Sequence, residues 1–143
     1  MQAKVREYAE NDVRFVISTW SRGALNQHLW ETTKGLPQID QRELQDGVRK
    51  VAEAIVRHPE TKTLVATTDS GEDIMGYVCF KPNVLYFVFV KPLYRQKGVG
   101  KKLMELFVKA SDATKPLYYV NHSGAMIHFG KKLGLRYNPY MGR

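Results

Sequence analysis

Apolar residues in the first part of the chain recur every three to five positions, which is the spacing of amphipathic helices. The first such segment follows a short strand near residues 4–7 and has Asn11 or Asp12 as its N-cap. The second begins at Ile39 and ends before Pro59, because proline cannot continue a helix. The pattern predicts one strand followed by two helices.

The spacing changes to short apolar runs after residue 60. Three runs rich in β-branched and aromatic residues occupy 64–66, 74–80 and 85–90, and they predict consecutive antiparallel strands. The polar residues 67–73 are predicted to form only a turn. The run 85–90 has no polar alternation, which is typical of a strand covered on both faces, so we expect it in the centre of a sheet.

The rest of the chain alternates helices with strands. Helices are predicted at 98–110 and 123–133, each followed by a short strand, at 117–120 and 135–137. Gly134 supplies the left-handed cap of the last helix. The order β-α-α-β-β-β-α-β-α-β predicts an α/β fold: a mixed, mostly antiparallel central sheet with helices on both faces.

Composition narrows the functional classes. A chain of 143 residues with 43% hydrophobic and 25% charged residues suits one globular domain, residues 1–143. No window approaches the roughly 20 apolar residues of a membrane span, and the first residues lack the apolar stretch of a signal peptide, so we expect a cytoplasmic protein with no membrane partner. The single cysteine, Cys79, excludes an internal disulfide or a multi-thiolate metal site, and the four histidines lack metal-ligand spacing.

Positive charge is concentrated in the second half of the chain. The formal charge is +8 overall, but residues 81–143 carry twelve Lys or Arg and only two Asp or Glu. Nucleic acid, a membrane surface and a phosphorylated cofactor are all anionic partners compatible with this half. Charge alone therefore leaves the partner open.

A glycine-containing loop connects the apolar run 85–90 to the next helix. Gly98 and Gly100 lack a Cβ atom, so the backbone there can approach a ligand closely, and the first N–H groups of the helix point outward at the positive end of its dipole. This arrangement favours a phosphate. It is neither a Walker A loop, which needs Ser or Thr at Lys102, nor a dinucleotide fingerprint, which needs glycine at Leu103.

The stretch Val90-x-Pro92-x-x-Arg95-x-x-Gly98-Val99-Gly100 resembles the Arg/Gln-x-x-Gly-x-Gly/Ala signature of the GCN5-related N-acetyltransferase (GNAT) superfamily, and the predicted element order is similar to that fold. The resemblance implies acetyl-CoA as cosubstrate and direct transfer to an amine acceptor in a ternary complex. It implies that loop N–H groups hold the diphosphate and that the N–H of about Val90 polarises the thioester carbonyl. The implied cofactor-binding residues are Val88, Val90, Arg95, Gln96, Lys97, Gly98, Val99, Gly100 and Lys101. The short chain with its Asn-Pro-aromatic ending also resembles small members encoded by bacteriophages.

Two side chains that usually act in catalysis in this family are missing. Alignment on the motifs puts Val84 where many members have a glutamate base, and Gly130 where many have a tyrosine that protonates the thiolate. The candidate substitutes are His122 as a base, with Tyr119 or Ser123 as a proton donor. The alternative roles are the N-cap of the following helix, which is the favoured role for Ser123, and an exposed loop position for His122.

The remaining polar and aromatic residues leave the acceptor open. Cys79 is expected to be a small buried residue, and His128 to be structural within its helix. The resemblance implies an acceptor groove walled by the early helices and the last strands, with Trp20, Arg22, His28, Trp30, Glu31 and residues 137–140 as candidates. Two alternatives stay open: a protein on this fold that modifies or binds nucleic acid, and a degenerate CoA-binding scaffold. A monomer and a homodimer are both compatible with the sequence.

Overall fold

The computed structural model describes residues 3–24, 40–121 and 124–142. The element order is the one predicted from the sequence, so the mixed α/β fold is confirmed. The strands are β1 (Lys4–Glu7), β2 (Lys62–Thr67), β3 (Ile74–Lys81), β4 (Val84–Val90), β5 (Tyr118–Tyr119) and β6 (Arg136–Tyr137). The helices are α1 (Glu10–Ala24), α2 (Gln41–Arg57), α3 (Val99–Lys109) and α4 (Gly124–Leu133), and short 3-10 turns lie at Pro92–Tyr94 and Pro139–Gly142.

Among the described residues, six strands form one sheet whose spatial order is the chain order. β1 to β4 pair antiparallel, whereas β5 is parallel to β4 and β6 is parallel to β5. Most residues of β3 and β4 are buried, which confirms the central position predicted for the run 85–90. β5 and β6 have only two residues each and are shorter than predicted.

The helices cover the sheet on both sides. α1 and α2 bury Trp20 and Val56 against one face, and α3 and α4 bury Phe107 and Met126 against the other. The backbone of β4 is therefore held between two packed cores, which is a rigid support for whatever binds along it. None of the described helices is long and apolar enough to cross a lipid bilayer.

The predicted cap at the end of α4 is correct, whereas the predicted start of α1 is not. Gly134 has φ 69°, which confirms it as the left-handed cap of α4. The predicted N-cap of α1 was wrong, because the helix begins at Glu10 and Asp12 lies inside its first turn. The carboxylate of Asp12 reaches back to accept the Ala9 N–H at 2.7 Å and pairs with Arg6 at 2.6 Å. An acidic side chain at this position caps the helix from within.

Gly47 is an exposed glycine inside α2 with no atom near the position of an added Cβ. We expect Gly47→Ala to raise the free energy of unfolding by about 0.5–1 kcal/mol, because alanine loses less backbone entropy than glycine when a helix forms. Urea unfolding of the two proteins measures the difference. An unchanged or lower stability would contradict the open environment of this position.

Candidate active site

An open groove of about 730 Å³ lies between the end of β4, the loop that follows it, and α4. Most of the residues predicted to bind the cofactor line it, namely Val88, Val90, Arg95, Gln96, Gly98, Gly100 and Lys101. The other two predicted residues do not line the groove. Lys97 is exposed beside it, and the side chain of Val99 is buried in the core. The structure thus brings the loop and the end of the central strand to one cavity.

The loop between β4 and α3 turns through two left-handed residues, Gln96 at φ 63° and Gly98 at φ 84°. The first backbone bond of α3 runs from the N–H of Lys102 to the carbonyl of Gly98 at 3.0 Å. The preceding N–H groups, including those of Gly100 and Lys101, therefore have no acceptor within the helix. They form an electropositive helix end beside the groove, which suits a phosphate group.

Gly100 keeps the mouth of this helix end open. A Cβ at Gly100 would lie 2.8 Å from the ring of Phe129 on α4 and 3.5 Å from Cγ2 of Val90. A side chain at this position would require the Phe129 ring to move, whereas glycine lets α3 begin close to α4 and leaves space along the groove. The positions around this opening fit a bulky anionic group such as the diphosphate of coenzyme A.

A β-bulge in β4 turns backbone groups toward the groove. The pairing with β3 shifts register between Cys79 and Phe80, which leaves Tyr86 as an extra residue in β4. On the β5 side, the carbonyl of Leu85 accepts a bond from Val120 at 3.3 Å, and the carbonyl of Tyr86 accepts one from the Asn121 side chain at 2.9 Å.

The extra residue at the bulge reverses which residues of β4 direct their backbone N–H and C=O groups toward β3 and which direct them toward β5. The N–H of Lys91 donates to Met75 on β3 at 2.8 Å, so residues 87 and 89 also face β3, and Val88 and Val90 face away from it. Within the described residues, β5 pairs with β4 only at Val84 and Leu85. Val88 and Val90 therefore face a gap and not another described strand. The carbonyl of Val90 accepts a bond from Arg95 Nε at 2.9 Å. The edge of β4 can therefore bind an extended, amide-containing ligand.

The described lining of the groove is positively charged and contains no Asp or Glu. Arg95 and Lys101 lie on the loop side and Lys132 lies on α4, and none of them makes an ion pair within the described residues. A cluster of one sign along a cleft raises the local concentration of an anionic ligand. The charge favours the phosphate-rich end of coenzyme A.

The opposite end of the groove is aromatic. A Cβ at Gly23 of α1 would overlap the ring of Phe87, and Phe87 stacks on Trp20 with ring centroids 5.2 Å apart. Trp20, a candidate for the acceptor groove from the sequence, is buried in the core. Gly23 and Phe87 were not among the predicted site residues, because only the tertiary fold brings α1 against β4.

The catalytic candidates are only partly placed. His122 and Ser123 lie outside the described residues, as do His28, Trp30 and Glu31. Tyr119 is buried, and its ring fills the space beside Gly130: an added Cβ there would lie 2.8 Å from Tyr119 Cε1. Its role as a proton donor stays a prediction, which this packing does not favour.

Two further expectations for single residues have different outcomes. Cys79 is fully buried and accepts a bond from the Thr63 hydroxyl at 3.3 Å, which confirms the structural role expected for it. Burial raises the pKa of the Cys79 thiol to about 12, so no thiolate nucleophile is available there. His128 was expected to be structural, but it is exposed and lines the groove with Phe129 and Lys132. Residues 125, 128, 129 and 132 are spaced to lie on one face of a helix, and this spacing could have indicated that α4 lines the groove.

Similarity to known proteins is found at the level of family and fold. The family model for the acetyltransferase (GNAT) domain matches residues 59–134. A GCN5-related N-acetyltransferase structure from Rhodopseudomonas palustris is 19% identical with a TM-score of 0.61 and covers 93% of this chain and 81% of its own. A Corynebacterium glutamicum structure described as histone acetyltransferase HPA2 and related acetyltransferase is also 19% identical, with a TM-score of 0.61 and coverages of 94% and 84%. No curated protein matches the sequence.

The fold, the family match and the groove agree with one another. The structural neighbours share the fold, and the matched family segment contains β2 to β4, the loop, α3 and the groove wall on α4. The groove has the open helix end, the free strand edge and the positive charge that a CoA thioester requires. Because the family match covers more than half of the sequence, the chain belongs to the GNAT acetyltransferases, and acetyl-CoA is its cosubstrate.

Proposed function

We propose that this protein transfers the acetyl group of acetyl-CoA directly to an amine acceptor in a ternary complex. The observation that carries the proposal is the single groove joining the helix end at Gly98–Lys101 to the free edge of β4 at Val88 and Val90. A diphosphate and an amide-containing arm are the two parts of coenzyme A that such a groove can bind. The acceptor itself is left open, since residues 25–39 lie outside the described part of the chain.

The proposed binding mode assigns each end of the groove to one part of the cosubstrate. The N–H groups of the loop residues 96–101 bind the diphosphate, assisted by Arg95, Lys101 and Lys132. The arm then runs back along β4, past Val90 toward Val88. The N–H nearest the thioester is therefore that of Val88, two residues earlier in β4 than the resemblance alone implied.

The bound thioester supplies an activated acetyl group: the acceptor nitrogen bonds to the carbonyl carbon and loses a proton, the carbon–sulfur bond breaks, and the departing thiolate takes up a proton and leaves as the thiol of CoA. The protein holds the two reactants together and places an N–H of β4 against the carbonyl oxygen, where negative charge develops. Val84 and Gly130 cannot take or give a proton. A thiol of pKa near ~8.5 is a good leaving group, so this site needs little acid assistance.

Candidate groups for the proton transfers are exposed residues that can bind and release a proton. His128 is the one histidine in the described lining of the groove, and an imidazole ring can both accept and donate a proton. His122 and Ser123 stay candidates for the same role from the sequence. Water in the open groove can connect any of these groups with the acceptor nitrogen.

Addition of acetyl-CoA tests the proposal. Thermal unfolding is expected to shift upward, with about 2.7 kcal/mol of stabilisation when the free ligand is at 100 times its dissociation constant. Mass spectrometry of amine pools incubated with acetyl-CoA should then show a mass increase of one acetyl group and release of CoA. Binding without acetylation of any acceptor would support the degenerate scaffold, and no binding would overturn the proposal.

A nucleic-acid partner is the second candidate, favoured by exposed cations outside the groove. Lys97, Lys109, Lys131 and Arg136 are exposed and make no ion pair within the described residues. If these cations bind phosphates, affinity for an oligonucleotide should fall steeply as salt rises. A homodimer, a cytoplasmic location and a bacteriophage source also stay predictions from the sequence.

A further inference from the structure

The polar turn between β2 and β3 carries an aspartate that contacts the cofactor loop from outside the groove. We propose that Asp73 is a positioning residue, which holds the diphosphate-binding loop through Lys91 and Tyr94. The inference deepens the proposed function and rests on it. The sequence predicted nothing for this residue beyond a turn.

Asp73 contacts two residues at the start of the loop, Lys91 and Tyr94. One carboxylate oxygen of Asp73 lies 2.7 Å from Nζ of Lys91, and the other accepts the hydroxyl of Tyr94 at 2.5 Å. The N–H of Tyr94 donates to the carbonyl of Lys91 at 2.9 Å, which closes the turn between them. One carboxylate therefore holds both ends of the 3-10 turn with which the loop begins.

The loop has few other anchors. Between Val90 and Val99, Tyr94 is the one buried side chain, whereas Leu93 is 70% exposed and residues 95–98 are all exposed. The loop must nevertheless keep Gln96 in a left-handed conformation, which costs free energy for a residue other than glycine. Besides the bond from Arg95 Nε to the Val90 carbonyl, the buried Tyr94 ring and its hydroxyl bond to Asp73 oppose relaxation of this conformation.

The same contacts extend to the aromatic end of the groove. Nζ of Lys91 lies 5.2 Å from the centre of the Phe15 ring, and Phe15 packs edge-on against Phe89, which lines the groove. Hydrogen bonds from Lys91 and Tyr94 hold the pKa of Asp73 below its usual value, so the carboxylate is charged at neutral pH. Asp73 thus connects the loop to α1 as well as to the β2–β3 turn.

Binding measurements with Asp73→Asn test the role, because asparagine keeps the size and loses the charge. Asp69→Asn is the matched control: Asp69 lies in the same turn and makes no hydrogen bond or ion pair within the described residues. We expect Asp73→Asn to weaken CoA and ADP binding by about tenfold, as for the loss of a charged hydrogen bond, and Asp69→Asn to leave both unchanged. S-acetylpantetheine, which has the arm but no diphosphate, should bind both variants as it binds the unchanged protein.

The pattern across ligands separates positioning from general damage. An equal loss of affinity for S-acetylpantetheine, or no loss for CoA, would overturn the proposal. Tyr94→Phe should weaken binding of the same ligands. The double variant should lose less affinity than the sum of the two single losses, because both substitutions affect the same Tyr94–Asp73 hydrogen bond. Fully additive effects would also overturn it. If the unchanged protein binds none of the ligands, the proposed function fails instead.

Discussion

Replacing Gly98 by glutamate is expected to abolish the stabilisation of the protein by acetyl-CoA. Gly98 has φ 84° and lies at the N-cap of α3, where the proposed diphosphate binds. A carboxylate there occupies the helix end and repels the phosphates, and like charges brought together cost several kcal/mol, so affinity should fall by more than about 100-fold. Thermal unfolding with and without saturating acetyl-CoA measures the loss.

Gly71 offers a matched control for this substitution. It has φ 78° and open space around its Cα, as Gly98 has, but it lies in the β2–β3 turn. Gly71→Glu should therefore cost similar backbone strain, about 1–2 kcal/mol, and leave the shift with acetyl-CoA intact. A full ligand shift in Gly98→Glu would show that the diphosphate binds elsewhere and would remove the basis for the assigned residues.

Replacing Gly76 by alanine is expected to be the most destabilising small change in the sheet. A Cβ at Gly76 would press against the carbonyl oxygen of Phe89 and lie 3.1 Å from Cα of Val90. Both contacts are with backbone atoms of the central strand, which cannot rotate away, so we expect a loss of about 2–3 kcal/mol in the free energy of unfolding. Chemical denaturation measures it, and Gly47→Ala, which is expected to stabilise, is the opposite control.

The same substitution should also weaken acetyl-CoA binding. Displacing Phe89 and Val90 moves the strand edge that faces the gap beside β5. Wild-type stability in Gly76→Ala would mean that β3 and β4 can separate locally at no cost. That result would also argue against a rigid β4 edge as the support of the arm.

Local pattern was sufficient for the fold. The spacing of apolar residues separates helices from strands, and the unbroken run 85–90 identifies the central strand, because burial on both faces leaves no place for polar side chains. The motif around Gly98 and Gly100 likewise indicates the loop proposed to bind the diphosphate, since residues without a Cβ leave the backbone accessible. What local pattern predicts poorly is length and boundary, as the two-residue strands β5 and β6 show.

The sequence by itself determined the element order, the family resemblance and the loop at which we propose that the diphosphate binds, because each depends on residues close together in the chain. Tertiary structure alone decided which distant residues meet at the site. The bulge at Tyr86 turns Val88 and Val90 toward the gap, and Asp73, just before β3, contacts the loop that follows the neighbouring strand β4. Such contacts depend on strand register and packing, which bring together residues far apart in sequence and leave no periodic signal along the chain.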